Sequence, residues 1–119
     1  MRWHEAAPGP AALAGRARAA LARLRESLPG ERPGRVVLVP WGPWPQTLEN
    51  LLITRMMEIA VHNDDLACSV GLPTPVLPDH VTDTVVVLLA RLAVGRHGPF
   101  AVIRSLSRAE RAPASVAAI

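Results

Sequence analysis

LENLLITRMMEIAVHNDDLAC, residues 48–68, decides the fold. Leu51, Leu52, Ile53, Met56, Met57, Ile59, Ala60, Val61 and Leu66 recur at helical spacing and leave almost no side of the helix polar. A helix of that kind is normally buried. The exception is a stripe of Arg55, Glu58, His62 and Asp65, which at about 100° per residue falls within roughly 80° on one face. On a buried helix such groups need partners, because unpaired carboxylates and imidazoles cost several kcal/mol. The stripe is therefore the candidate functional site.

Glu58 and His62 are one helical turn apart, so a carboxylate oxygen and an imidazole nitrogen can reach one divalent cation. Such a pair supplies two ligands, whereas a Zn²⁺ site needs at least three from protein. Structural pairing explains the same residues more simply. Arg55 can bridge to Glu58 at i+3, and Asp65 can orient the His62 ring. On the residues alone both readings stay open.

Outward from this helix, Trp41-Gly42-Pro43-Trp44-Pro45 is rigid turn material, with Thr47 as N-cap. The two tryptophans read either as rings closing one end of the bundle or as pocket lining beside the stripe. Arg35-Val36-Val37-Leu38-Val39-Pro40 is a short β-branched run without an evident partner, so it is expected as an extended connector lying on the bundle, not as a sheet. Pro8-Gly9-Pro10 precedes a helix over 11–28, with Leu13, Ala17, Leu21, Leu24 and Leu28 in register and Leu28-Pro29-Gly30 ending it.

Gly71-Leu72-Pro73 stops the central helix, and a loop over Pro75 to Pro78 follows. Asp79 then begins a helix whose Val81, Val85, Leu88, Leu89 and Leu92 form one buried face, closed by Gly95 and Gly98. A short helix over 99–107 presents Phe100, Ile103 and Leu106. The expected architecture is all-α: an antiparallel helical bundle with helices near 11–28, 47–70, 79–95 and 99–107 and a short extended connector.

The 119 residues form a single domain, half of them hydrophobic, with one Phe and no Tyr. The core must be built from Leu, Val, Ala and Ile, with Trp3, Trp41 and Trp44 as the large rings. All thirteen basic residues are arginine and the formal net charge is only +3, so the pI of about 10.9 reflects arginine's pKa rather than a strong positive field. Arg16, Arg18, Arg23 and Arg25 on the first helix read as a solvated face. No aromatic interleaving or recognition motif accompanies them, and nucleic acid is not implied. The single Cys68 excludes an internal disulfide and reads as a small packed apolar residue in a reducing, cytoplasmic setting. No apolar run is long enough to span a bilayer and no secretory signal is read.

The string from Thr54 to Ala67, TRMMEIAVHNDDLA, followed by Gly71-Leu72-Pro73, resembles the last metal-bearing helix of the mycothiol-dependent maleylpyruvate isomerase family, which belongs to the DinB-like helical-bundle metalloenzymes. The tail from Ala101 to Pro113, AVIRSLSRAERAP, is similar to the closing segment of many members. The resemblance implies that Glu58 and His62 are metal ligands, that Asp65 matches the acidic residue after the ligand histidine, and that Arg55 orients Glu58 or a substrate carboxylate. It also implies a Zn²⁺-like cation and mycothiol as thiol cosubstrate. Metal lowers the pKa of a bound thiol, and the thiolate adds to an activated double bond, permits rotation and leaves, or attacks an electrophile as a transferase. The expected partners are a small-molecule substrate and mycothiol.

The family's further ligand histidine, in a W-x-x-x-D-x-x-x-H-type stretch on an early helix, has no counterpart here. His4 is the candidate substitute, while His80 and His97 flank the third helix and read as solvated. The chain accordingly looks like the C-terminal part of a longer family member, and as given it is expected to turn over little or no substrate. The alternative is a non-catalytic helical remnant or interaction module. Its uncovered apolar faces favour homo-oligomers.

Overall fold

The structure is a computed structural model and describes residues 7–119. It contains four helices, α1 (Pro10–Ser27), α2 (Leu48–Val70), α3 (Asp79–His97) and α4 (Pro99–Ser107), and one hairpin, β1 (Val36–Leu38) with β2 (Pro45–Thr47). Single 3₁₀ turns follow α1 and α4. The fold is mostly helical. No helix among the described residues is long and apolar enough to cross a membrane.

The boundaries of α2 have clear local causes. Thr47 is extended at the N-cap, and its Oγ1 accepts from the Asn50 N–H at 3.2 Å. At the other end Gly71 is left-handed with φ 68°, and the Leu72 N–H reaches back to the Ala67 carbonyl at 3.0 Å. That geometry ends the helix and satisfies carbonyls that have no partner within it. Gly95 does not close α3, which runs two residues further; Gly98 at φ 85° does, and Pro99 starts α4 at once.

The hairpin corrects the expectation of a lone extended connector. β2 pairs antiparallel with β1 in the register Val36↔Thr47, Val37↔Gln46 and Leu38↔Pro45. Pro45-Gln46-Thr47 does not look like a strand, because proline cannot donate to a ladder. It is tolerated at the first residue of an edge strand. The Trp44 ring packs against Gly42, where a Cβ would stand 2.5 Å from it. The hairpin is tied to α2 by the Leu48 N–H, which donates to the Arg35 carbonyl at 2.8 Å, and by the Gly34 N–H, which donates to Glu49 Oε1 at 2.9 Å. The Gly34 bond holds the Glu49 carboxyl below its ordinary range, because it stabilises the charged form.

α2 packs on α3, α3 on α4, and β2 on the start of α2. The buried core among the described residues is Val39, Met57, Ala67, Val85, Ala93 and Val102. It is small, and several expected core positions lie outside it. α1 buries none of its residues, and Leu13, Leu21 and Leu24 remain exposed. Leu92 is exposed while Ala93 is buried, and in α4 Val102 is buried in place of Phe100, Ile103 and Leu106. In the α2–α3–α4 stack only narrow stripes of each helix meet a neighbour, and α1 lies outside that stack. The radius of gyration, 17.7 Å, exceeds the roughly 13–14 Å of a compact chain of this length.

Candidate functional site

α2 presents its buried residues, Met57 and Ala67, toward the neighbouring elements. Arg55, Glu58, His62 and Asp65 lie around the opposite side of the helix. The expectation that this stripe is buried is corrected here: the four side chains are between 42% and 66% exposed. Water solvates them, so no desolvation cost forces them to find partners. The helix is apolar nearly all round, yet Ile59 and Leu66 beside the stripe stand 58% and 65% exposed.

The stripe is nonetheless organised. His62 Nε2 lies 3.2 Å from Glu58 Oε2, and its Nδ1 lies 3.4 Å from Asp65 Oδ2. Arg55 stands 3.9 Å from Glu58 Oε1 and places its guanidinium over the Trp41 ring, 5.3 Å from the centroid. All four residues that the sequence singles out are thus brought together. Trp41 joins them from the hairpin turn. Both Trp41 and Trp44 are exposed, so they do not serve as rings closing the bundle end. Only the fold-back over Gly42 brings Trp41 near Arg55, and that closure has no simple sequence pattern.

The two consecutive aspartates divide their work. Asp64 accepts from Thr74 Oγ1 at 2.6 Å, which fixes the segment after α2, and its Oδ1 lies 3.9 Å from Cys68 Sγ. Asp65 faces the imidazole. Cys68 itself is exposed, correcting its reading as a packed apolar residue, because it sits on the solvent side of the last turn of α2.

The Glu58–His62 pair fits a divalent cation in one specific respect. Two donor atoms each about 2.0–2.1 Å from a tetrahedral Zn²⁺ stand roughly 3.3 Å apart, close to the separation observed here. A neutral imidazole donates through one nitrogen only. With Nδ1 turned to Asp65, Nε2 and the Glu58 carboxylate present two electron-pair donors to one point, where a cation can be held. The set is incomplete, however. Asp65 occupies the far side of the ring, and no group of three or more His, Cys, Asp or Glu side chains among the described residues converges to hold a metal. His80 and His97 are exposed; His97 Nε2 is 2.7 Å from the Ala117 carbonyl, latching the C-terminal tail. The expectation for His4 falls outside the described residues.

Away from the stripe, an apolar cavity of about 420 Å³ lies among Val61 of α2, Leu89 and Ala93 of α3, Val102 of α4 and the tail residues Val116 and Ile119. No family model, curated protein or solved structure matches this chain.

Proposed function

We propose that α2 carries the metal-holding half of a mycothiol-dependent maleylpyruvate isomerase-like site on a partial DinB-like bundle, with Glu58 and His62 as ligands to a Zn²⁺-like cation. The observation that supports this reading is the 3.2 Å approach of Glu58 Oε2 to His62 Nε2 with Asp65 at Nδ1, the arrangement of a carboxylate-oriented histidine ligand. Asp65 fixes the ring and its tautomer. Arg55, half-exposed and held by Trp41 and Glu58, is placed to orient the Glu58 carboxylate or to pair with a substrate carboxylate. A cation so held supplies a Lewis-acidic position at which a thiol such as mycothiol ionises near neutral pH. With only two ligands from one helix, the single chain holds the ion weakly and turns over little or no substrate, as isomerase or thiol transferase.

The test is calorimetric Zn²⁺ titration of the wild type, His62→Ala and Asp65→Asn. The expected result is binding to the wild type that is lost in His62→Ala and weakened about tenfold in Asp65→Asn, the range for groups that orient a ligand. An identical response in wild type and His62→Ala overturns the reading. A non-catalytic interaction module is the second reading, and it draws on a separate observation: Ile59, Leu66, Val86, Ile103 and Leu106 are exposed on an open molecule.

A further inference from the structure

The stripe on α2 has an internal symmetry. Arg55 and Asp65 are centred on residue 60, and so are Glu58 and His62. Along the helix the groups run basic, acidic, basic, acidic. A second α2 laid antiparallel about a two-fold axis at residue 60 therefore brings Arg55 of one copy level with Asp65 of the other, and Glu58 level with His62, at both ends of the contact. This self-complementarity is what an isologous interface requires. The same rotation sets Ile59 and Leu66 of both copies in one row along the flank of the charges. Those two side chains are 58% and 65% exposed and lie on the side of α2 away from Met57 and Ala67.

We infer that a second copy of this chain docks antiparallel on the exposed ridge of α2 and completes the cation site, which then has Glu58 and His62 from each copy as its four donors. The inference rests on reading Glu58 and His62 as a metal pair, and it answers what that reading leaves open. Two donors from one helix do not close a chelate, whereas two carboxylates and two imidazoles suit a four-coordinate Zn²⁺. Four protein donors also fill the coordination sphere, so the paired chains are the closed form of the site and the single chain the open one. The apolar row contributes non-directional attraction, and the alternating charges set the register.

Sedimentation velocity of the full chain with and without Zn²⁺, alongside the calorimetric stoichiometry, tests this. The expected result is a shift from monomer to dimer as Zn²⁺ is added, saturating at one ion per two chains and absent in His62→Ala and His62→Gln. Arg55→Asp and Asp65→Arg each weaken dimerisation, Asp65→Arg by more because it also removes the carboxylate that orients His62, and the double variant dimerises about tenfold more tightly than Asp65→Arg, because the exchanged charges meet across the interface and not along one helix. All these positions are exposed, and far-UV circular dichroism checks that each variant keeps its helices. Zn²⁺ binding that depends on His62 but leaves the chain monomeric overturns the second-copy inference and spares the metal pair. Zn²⁺ binding indistinguishable between wild type and His62→Ala overturns both. A double variant no tighter than Asp65→Arg overturns the antiparallel register.

Discussion

The Arg55 guanidinium lies over the ring of Trp41, 5.3 Å from its centroid, so the hairpin turn and the third turn of α2 are coupled through an exposed cation–π pair. At an exposed site such a contact contributes about 0.5–1 kcal/mol. A double-mutant cycle of Trp41→Leu and Arg55→Ala, read by urea denaturation, should return a coupling in that range. Strict additivity would show that the two side chains stabilise the fold independently.

Glu49 links the hairpin to α2 by accepting from the Gly34 N–H, and this bond keeps its carboxyl below the ordinary value. For a carboxylate depressed in the folded state, the stabilisation is complete above the unfolded-state pKa and disappears as the pH falls through the lower folded-state value. Acidification below about pH 4.5 should therefore loosen the attachment. The Gly34 amide resonance, followed by NMR, should move with Glu49 titration. In Glu49→Gln that movement should vanish while the rest of the acid transition persists.

Gly71 is left-handed, with open space where a Cβ would stand, so its replacement is opposed by backbone conformation alone. Gly71→Ala should destabilise by about 1–2 kcal/mol, the cost of placing an L-residue in that region. Thermal melts followed at 222 nm would check it. A neutral result would mean that α2 ends elsewhere in solution.

Thr47→Ala removes the side-chain oxygen that caps Asn50 and should cost about 1 kcal/mol. Thr47→Gly should lose less than Thr47→Ala, since glycine is itself accepted at N-caps. A loss of similar size in Thr47→Ser, which keeps the hydroxyl, would point to the β2 pairing and not the cap as the source of stability.

What the sequence made legible was what depends on neighbours along the chain. Thr47, Gly71, Pro29-Gly30 and Gly98-Pro99 punctuate the helices because caps and breaks are local. The i+3 and i+4 spacings place Arg55, Glu58, His62 and Asp65 on one face for the same reason. Burial was not legible, since it depends on which elements meet. Leu13, Leu21 and Leu24 have the periodicity of a core face, yet no element among the described residues covers them. The stripe on α2 was expected inside and stands outside. The β1–β2 pairing was hidden by Pro45, whose missing donor argues against a strand unless its place at the ladder's end is known.

The C-terminal tail offers another check. Val116 and Ile119 line the apolar cavity, and His97 holds the Ala117 carbonyl at 2.7 Å. Deleting residues 113–119 should lower Tm and raise the fluorescence of a hydrophobic dye by uncovering Val102 and Leu89. His97→Ala should show a smaller effect, about 0.5–1.5 kcal/mol for one hydrogen bond. Equal dye binding in full-length and shortened chains would mean that the tail does not cover the cavity.

Because α1 buries none of its residues, its persistence is a matter separate from that of the remainder. Eighteen residues without a side-chain cap at the start make a helix that is marginal in water on its own. Its amides should exchange with deuterium through local opening, at rates unaffected by substitutions at Val85 or Ala93, while the α2–α3 pair exchanges only through larger excursions. The molecule then has no single unfolding free energy. A transition recorded by helical ellipticity will begin before one recorded from the α2–α3 core, and a two-state fit to either curve alone will describe a different portion of the chain.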